Sequence, residues 1–122
     1  MDCSAGRIVG AHLAERDRGL LRRLARSRSA WERRIAIIAT SHFIRHDDFD
    51  DTLAIARLLL ADEHDLIHKA VGWMLREVGK RNRTVEEAFL RDHAARMPRT
   101  MLRYAIERFP EPTRQRYLHR GR

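Results

Sequence analysis

A helical stripe of three cations and one indole is the part of this sequence best suited to bind a ligand. Starting at Lys69, the stripe runs in steps of four, three and four residues through Trp73, Arg76 and Lys80. Residues three and four apart lie on one face of an α-helix, so these side chains share a surface. Cations beside an exposed aromatic ring suit a nucleic acid, which is a polyanion that also presents flat bases. The alternative is that Trp73 belongs to the core and the cations form a solvated edge.

Two pairs of histidines have the i, i+4 spacing of a zinc-binding helix. They are His42 with His46 and His64 with His68. In the second pair, Asp65 stands where the Glu of H-E-x-x-H would be, and no third ligand is evident. Surface histidines account for both pairs, and the sequence has no glycine-rich phosphate loop, CxxC pair or nucleophile elbow. We therefore expect neither a metal nor a cofactor.

The charge of the chain is strongly positive and unevenly distributed. Its 122 residues include 25 Lys and Arg against 17 Asp and Glu, which gives a net charge of +8 carried mostly by arginine. Residues 1–46 carry +6 and residues 97–122 carry +5, whereas residues 47–96 carry −3. Because arginine matches planar, bidentate partners such as phosphate, the composition favours a polyanionic partner.

Length and composition also bound the class of protein. A chain of this length with 43% apolar residues predicts one domain, residues 1–122, with a single core. Cys3 is the only cysteine, so no disulfide framework is expected. No apolar run reaches membrane length, and Met1 is followed by Asp2 rather than by a signal-peptide pattern. We expect a soluble, cytoplasmic protein, associated with the nucleoid if its partner is DNA.

Apolar residues recur at helical spacing along the chain, and no segment shows the alternation of a β-strand, so an all-α fold is predicted. Two capping-box patterns mark helix starts, Ser29 with Glu32 and Thr84 with Glu87. Pro98 suits the first residue of a further helix. The predicted helical segments are 4–13, 17–24, 30–44, 52–60, 65–80, 85–95, 99–109 and a last piece through Tyr117 and Leu118.

A short motif of one cation and three apolar or small residues recurs along the chain. It appears as Arg34-Ile-Ala-Ile, Lys69-Ala-Val-Gly and Arg103-Tyr-Ala-Ile, at offsets of 35 and 34 residues. A helix pair repeated at this period predicts a HEAT-like α-solenoid of stacked antiparallel pairs. Stacking would line the three cations along one ridge, with Trp73 and Arg76 beside it. The alternative is that these cations flank the core between repeats, as in solenoids that bind proteins.

These same segments resemble a known family. Similar motifs, in the same order and spacing, occur in DNA alkylation repair enzymes, the HEAT-repeat DNA glycosylases of the AlkD type. Here the motifs are Trp31-Glu-Arg-Arg34-Ile-Ala-Ile-Ile, Lys69-Ala-Val-Gly-Trp73-Met-Leu-Arg76-Glu and Leu102-Arg103-Tyr-Ala-Ile-Glu-Arg. The opening Met1-Asp2-Cys-Ser-Ala-Gly-Arg-Ile-Val-Gly is similar to the family's Trp-Asp-x-Val-Asp segment and the helix after it. The resemblance covers nearly the whole chain.

The resemblance implies a solenoid that grips damaged duplex DNA in a basic, concave groove. It also implies removal of N3- or N7-alkylated purines by hydrolysis of the N-glycosidic bond. By the same resemblance, Asp2 is the catalytic carboxylate that faces the deoxyribose, and Arg34 and Trp73 flank the damaged nucleotide. The residues implied to lie nearer the DNA backbone are Lys69, Arg76 and Arg103.

This chemistry needs no metal. An alkylated purine already carries positive charge and leaves readily, so the enzyme must stabilise an oxocarbenium-like sugar and help water attack. A nearby carboxylate serves both needs, by its charge and as a general base. An indole face also suits a cationic base.

The family domain is longer than this chain, with helix pairs and a Trp ahead of the position that matches Asp2. The resemblance therefore predicts weak or undetectable base excision by this chain, and an uncovered N-terminal face available for self-association. A non-catalytic helical-repeat scaffold that binds DNA or a protein is the alternative. Release of a methylated base separates the two functions.

Overall fold

The computed structural model describes residues 19–120, apart from the side chain of Arg120. No strand occurs in this range, so the predicted all-α fold is confirmed. The predicted helix over residues 4–13 and the predicted catalytic Asp2 lie outside the described residues. The helices are α1 (Gly19–Ala25), α2 (Ala30–Ala39), α3 (Ser41–Ile44), α4 (Asp50–Leu59), α5 (Asp65–Arg81), α6 (Arg83–His93), a 3-10 turn (Ala94–Arg96), α7 (Arg99–Ala105) and α8 (Glu111–Arg120).

The start of α2 follows the predicted cap, but its end does not. Ser29 is the N-cap, and its hydroxyl accepts a hydrogen bond from the amide of Glu32 at 3.3 Å. The Glu32 carboxylate accepts from the hydroxyl of Ser27 instead of reaching back to the amide of Ser29. The predicted helix over 30–44 is divided at Thr40, whose buried hydroxyl donates to the carbonyl of Ile37 at 2.6 Å. This bond competes with the helical ladder, so α3 starts as a separate turn.

The predicted N-cap of α6, Thr84, is wrong by two residues, and the helix begins at Arg83 instead of Val85. Asn82 is the N-cap, and its side-chain oxygen accepts from the amide of Val85 at 3.3 Å. The carboxylate of Glu87, assigned to a capping box, instead pairs with Arg83 at 3.0 Å and accepts from the hydroxyl of Tyr117 at 2.7 Å. Asparagine is among the best N-caps, so the two signals competed and the earlier one prevailed.

The helices pack as pairs in two layers. α2, α5 and α7 form the first layer, because α5 packs against both α2 and α7. The second helix of each pair packs against its partner: α4 contacts α2, α6 contacts α5, and α8 contacts α7. α1 packs against α2 and α4. This is the stacked-pair array that the repeated motif predicts.

The central helix α5 contacts its neighbours α2 and α7 in the first layer and also α4 and α6 in the second. Its apolar face is fully buried through Ile67, Val71, Leu75 and Val78, and these side chains belong to the one hydrophobic cluster that runs from Leu21 to Tyr117. At about 25 cal/mol per Å² of apolar surface, each such side chain contributes roughly 1.5–3 kcal/mol. None of the helices within residues 19–120 is long and apolar enough to cross a membrane.

Candidate nucleic-acid interface

A basic groove crosses the first layer, between α2, α5 and α7. It encloses about 250 Å³. Its lining residues are Arg34, Leu66, Lys69, Ala70, Trp73, Arg76 and Tyr104. Three helices thus contribute side chains, and four of the six residues predicted to contact DNA meet in this one place.

Helical spacing on α5 accounts for most of the groove. Lys69, Trp73 and Arg76 lie on successive turns of one face, and Arg34 reaches the same place from α2. Gly72 allows α7 to close the far side. A Cβ at Gly72 would lie 2.5 Å from both the carbonyl oxygen of Met101 and the Cβ of Tyr104. The glycine in the Gly-Trp motif therefore permits the close approach of α5 and α7.

The groove cations differ in how they are neutralised. Lys69 pairs with Asp65 at 3.2 Å, and Arg76 pairs with Glu107 at 2.8 Å. Both acids are more than 60% exposed in their side chains, so these ion pairs are solvated and weak. Arg34 forms no ion pair with any residue in the range 19–120. A polyanion could displace Asp65 and Glu107 at little cost and meet Arg34 directly.

Two of the predicted DNA contacts lie outside this groove. Lys80 pairs with Glu77 at 2.8 Å and lines two neighbouring cavities instead. Arg103 is exposed on α7, and its neighbour Tyr104 occupies the groove position. The reason is helical register: a constant offset of 35 residues leads from Arg34 through Lys69 to Tyr104. The 34-residue offset that aligned the cations places Arg103 one residue, or about 100° of helix, away.

Trp73 is neither fully core nor fully exposed. It packs against the hydrophobic cluster while lining the groove on one side. On its other side it lines a second cavity of about 250 Å³ between α2, α3 and α5, beside Ile38, Met74 and Glu77. The indole is therefore partly buried and partly accessible. An indole ring that packs against the core on one side and remains accessible on the other is well placed to stack on a base.

Two large apolar side chains were missed as surface residues. Leu66 is 61% exposed at the start of α5 and lines the groove. Trp31 is 55% exposed at the start of α2. The same 35-residue offset relates the two positions, so the constant period could have indicated that they lie at equivalent places on adjacent repeats.

No carboxylate is among the described residues that line the groove. Asp2, the predicted catalytic carboxylate, lies outside residues 19–120. Within that same range, no cluster of three His, Cys, Asp or Glu side chains could hold a metal ion. The His68 ring nitrogen contacts the backbone oxygen of Asp62, and the His46 ring nitrogen lies 2.9 Å from the backbone oxygen of His42. The described part of the groove thus offers binding groups but no carboxylate.

Stacked helix pairs around one basic, aromatic groove define a helical-repeat protein with a surface suited to a polyanion. Comparison with protein families identifies the group within that class. The model of the family described as DNA alkylation repair enzyme matches residues 1–109, and the chain belongs to this family. Neither a curated protein nor a solved structure matches the chain. Membership indicates a role in DNA alkylation repair, as the sequence resemblance implied.

Proposed function

We propose that the protein is a DNA glycosylase that hydrolyses the N-glycosidic bond of N3- and N7-alkylated purines in duplex DNA. The observation that carries the proposal is the groove, in which Arg34, Lys69 and Arg76 surround the accessible ring of Trp73. Family membership supplies alkylated DNA as the context for that surface. Duplex DNA as the partner also leads us to propose a cytoplasmic, nucleoid-associated location.

The groove matches the charge and shape of a damaged duplex. Arg34, Lys69 and Arg76 can each neutralise a backbone phosphate and release a condensed counterion. Lys69 and Arg76 would exchange exposed acid partners for phosphate, and such exposed pairs are worth only about 0–1 kcal/mol. Trp73 offers a π-face to the alkylated base, which carries a positive charge. The duplex backbone would follow α5, with the lesion near Trp73.

The chemical step needs one group that the described part of the groove lacks. Departure of a cationic purine leaves positive charge on the deoxyribose, and a carboxylate stabilises that charge and accepts a proton from the attacking water. The lining of the groove within residues 19–120 provides no such group. We assign this role to Asp2 on the resemblance of its segment to the family motif.

Base release from methylated duplex DNA tests the proposal. We expect slow release of 7-methylguanine or 3-methyladenine above the spontaneous rate, and release at the spontaneous rate for Asp2→Asn. Removing one anion from a basic surface should leave duplex affinity equal or slightly higher. Release that survives Asp2→Asn would show that another residue supplies the carboxylate.

A DNA-binding scaffold without excision is the second candidate. It is favoured by the absence of a carboxylate in the groove lining within residues 19–120. Duplex binding with strong salt dependence is common to both candidates. Retained binding with no base release, both by the unmodified chain and after the family's upstream helix pairs are added, would select the scaffold.

A further inference from the structure

A smaller basic cavity, distinct from the two that Trp73 lines, lies next to the groove, where α5, α6 and the end of α7 meet. It encloses about 190 Å³. Its lining residues are Arg76, Gly79, Lys80, Arg83, Glu86, Ala105, Arg108 and Phe109. Arg76 lines both this cavity and the groove, so the two spaces are adjacent along α5. Four cations around a space of this size are suited to one compact anion.

The unusual feature of this cavity is the carboxyl group of Glu86. The residue is 1% exposed, and its Oε2 atom has no hydrogen-bond partner within the described part of the chain. Glu86 packs directly on Gly79, where a Cβ atom would collide with the carboxyl group. An unpaired buried polar atom costs roughly 1–3 kcal/mol, which a hydrogen bond to a bound group in the cavity would recover.

The surrounding cations do not neutralise Glu86. Arg76 pairs with Glu107 at 2.8 Å and Lys80 with Glu77 at 2.8 Å. Arg83 pairs with Glu87, and its guanidinium lies 4.6 Å from the centre of the Phe109 ring. Arg108 forms no ion pair with any residue from 19 to 120. The cations are thus held around the cavity by other acids or left uncompensated.

Burial keeps the Glu86 carboxyl protonated. Desolvation, reinforced by the nearby Glu87 carboxylate, raises the pKa of Glu86 to about 9 although Arg83 and Arg76 oppose the shift. At neutral pH the group is therefore a carboxylic acid with an O–H donor. A neutral donor among cations can approach an anion that an ionised carboxylate would repel.

We propose that this cavity is a phosphate-binding site in which the neutral carboxyl of Glu86 donates a hydrogen bond to a phosphate oxygen. Arg108 and the other three cations would supply the opposite charge. Because Arg76 joins the cavity to the groove, the occupant we assign is a backbone phosphodiester of the bound duplex. That occupant rests on the proposed function, whereas the phosphate chemistry of the cavity does not. A tetrahedral anion can accept the unused Glu86 donor once the buried Oε2 atom turns toward the cavity.

Two substitutions by uncharged residues separate the hydrogen bond that Glu86 would donate from the packing of its side chain. Glu86→Gln and Glu86→Met both remove the titrating carboxyl and have similar size, but only glutamine can donate to a phosphate. We expect duplex affinity of Glu86→Gln within about twofold of the unmodified protein. Affinity of Glu86→Met should fall about tenfold, as is typical for loss of a hydrogen bond to a charged group. Equal affinities of the two variants would overturn the proposal.

A surface substitution provides a test that does not touch the buried cluster. Arg108→Ala should weaken duplex binding and lower the slope of log K against log salt by about 0.9, the value for one phosphate contact. Arg91→Ala removes the same charge from α6, where Arg91 lines a different cavity beside Arg116 and Tyr117. If Arg91→Ala lowers the slope as much as Arg108→Ala does, net charge explains the effect and the site is refuted.

If the protein does not bind duplex DNA, a titration with inorganic phosphate tests whether the cavity binds phosphate. Backbone amide shifts of Gly79, Glu86 and Phe109, followed by NMR during a phosphate titration, should move in the unmodified protein and in Glu86→Gln. In Glu86→Met the same amides should move only at about tenfold higher phosphate concentration. That pattern would support the cavity while the proposed DNA function fails, and unmoved amides in all three proteins would overturn the phosphate site alone.

Discussion

The buried Glu86 carboxyl should make the stability of this protein fall as pH rises through the neutral range. Its pKa is raised from 4.5 to about 9, chiefly by burial and then by Glu87. Below pH 4.5 the group is protonated in both the folded and the unfolded chain and has no effect. Between pH 4.5 and 9 the unfolded chain loses this proton and the folded protein keeps it. Folding then requires proton uptake and becomes less favourable.

The size of the effect follows from the two pKa values. Each pH unit between them costs about 1.36 kcal/mol of the free energy of unfolding. From pH 4.5 to pH 7 the accumulated cost is about 3 kcal/mol, a large share of the roughly 5–15 kcal/mol that a small domain has. The charged groups facing the carboxyl are Arg76 and Lys80 on α5, Arg83 and Glu87 on α6, and Arg108 after α7.

Glu86→Gln removes the titration while keeping the shape of the side chain. Urea unfolding of this variant and of the unmodified protein from pH 4.5 to 8.5 should show a difference that grows in favour of the variant. The growth should reach about 3 kcal/mol by pH 7. His93, whose pKa is lowered chiefly by burial, titrates in both proteins and cancels in the difference.

An exposed glutamate provides the matched control. Glu63 is exposed in the turn before α5, so Glu63→Gln should follow the unmodified protein at every pH. Parallel stability curves for Glu86→Gln and the unmodified protein would refute the reasoning, because they would mean that Glu86 is ionised in the folded state. The premise of a neutral donor in the phosphate cavity would then fail as well.

Two further predictions concern the packing that positions the groove. Gly72→Ala should lower the free energy of unfolding by about 2 kcal/mol despite the higher helix propensity of alanine, because the alanine Cβ would meet the rigid backbone of Met101. Urea unfolding measures this change, and an unchanged midpoint would contradict the prediction. Asp62→Asn should cost about 1–3 kcal/mol at pH 7, because it breaks the 2.6 Å pair with Arg33 that ties α2 to the turn before α5. Burial raises the pKa of Asp62, but hydrogen bonds from Arg33 and the backbone of His64 outweigh it and lower the pKa below 3.8. The contribution of the pair is therefore present above pH 3.8 and lost as pH falls through the lowered pKa, so the penalty of Asp62→Asn should shrink in unfolding measurements as pH is lowered below 3.8.

Local patterns predicted the parts of the fold that depend on local chemistry. Periodic apolar residues gave the helices, and the Ser29 hydroxyl caps α2 as the pattern indicated. The spacing of Lys69, Trp73 and Arg76 placed them on one face of α5, and the repeat brought Arg34 beside them. The cap and the shared face of α5 depend on local helix geometry, and the position of Arg34 depends on the repeat period; a single sequence specifies both.

The remaining features depend on contacts between distant residues. Tyr104, and not Arg103, lines the groove because α7 packs on Gly72 in a register that is 35 residues from Lys69. The sequence instead predicts an offset of 34 residues, because that offset aligns one cation with another. The Thr40 break depends on a side chain that bonds to its own backbone. Glu86 reads as a solvated acid in the helical pattern, and only the assembled cavity shows that it is buried. A period alone does not reveal burial of a single polar residue.

The central claim, that the groove of α2, α5 and α7 binds duplex DNA, is tested most directly at Arg34. This residue lines the groove and forms no ion pair within residues 19–120, so Arg34→Ala should remove one phosphate contact without disturbing the fold. Arg57→Ala is the matched control, because Arg57 is exposed and lines the cleft between α4 and α6 in the other layer. Binding of a methylated duplex should be measured between 50 and 200 mM salt, a range over which phosphate contacts alter affinity by about 10³–10⁵-fold in proteins with several of them. Arg34→Ala should weaken binding and lower the salt slope by about 0.9, and Arg57→Ala should leave the slope unchanged. Equal slopes for the two variants would contradict the assignment of DNA binding to this groove.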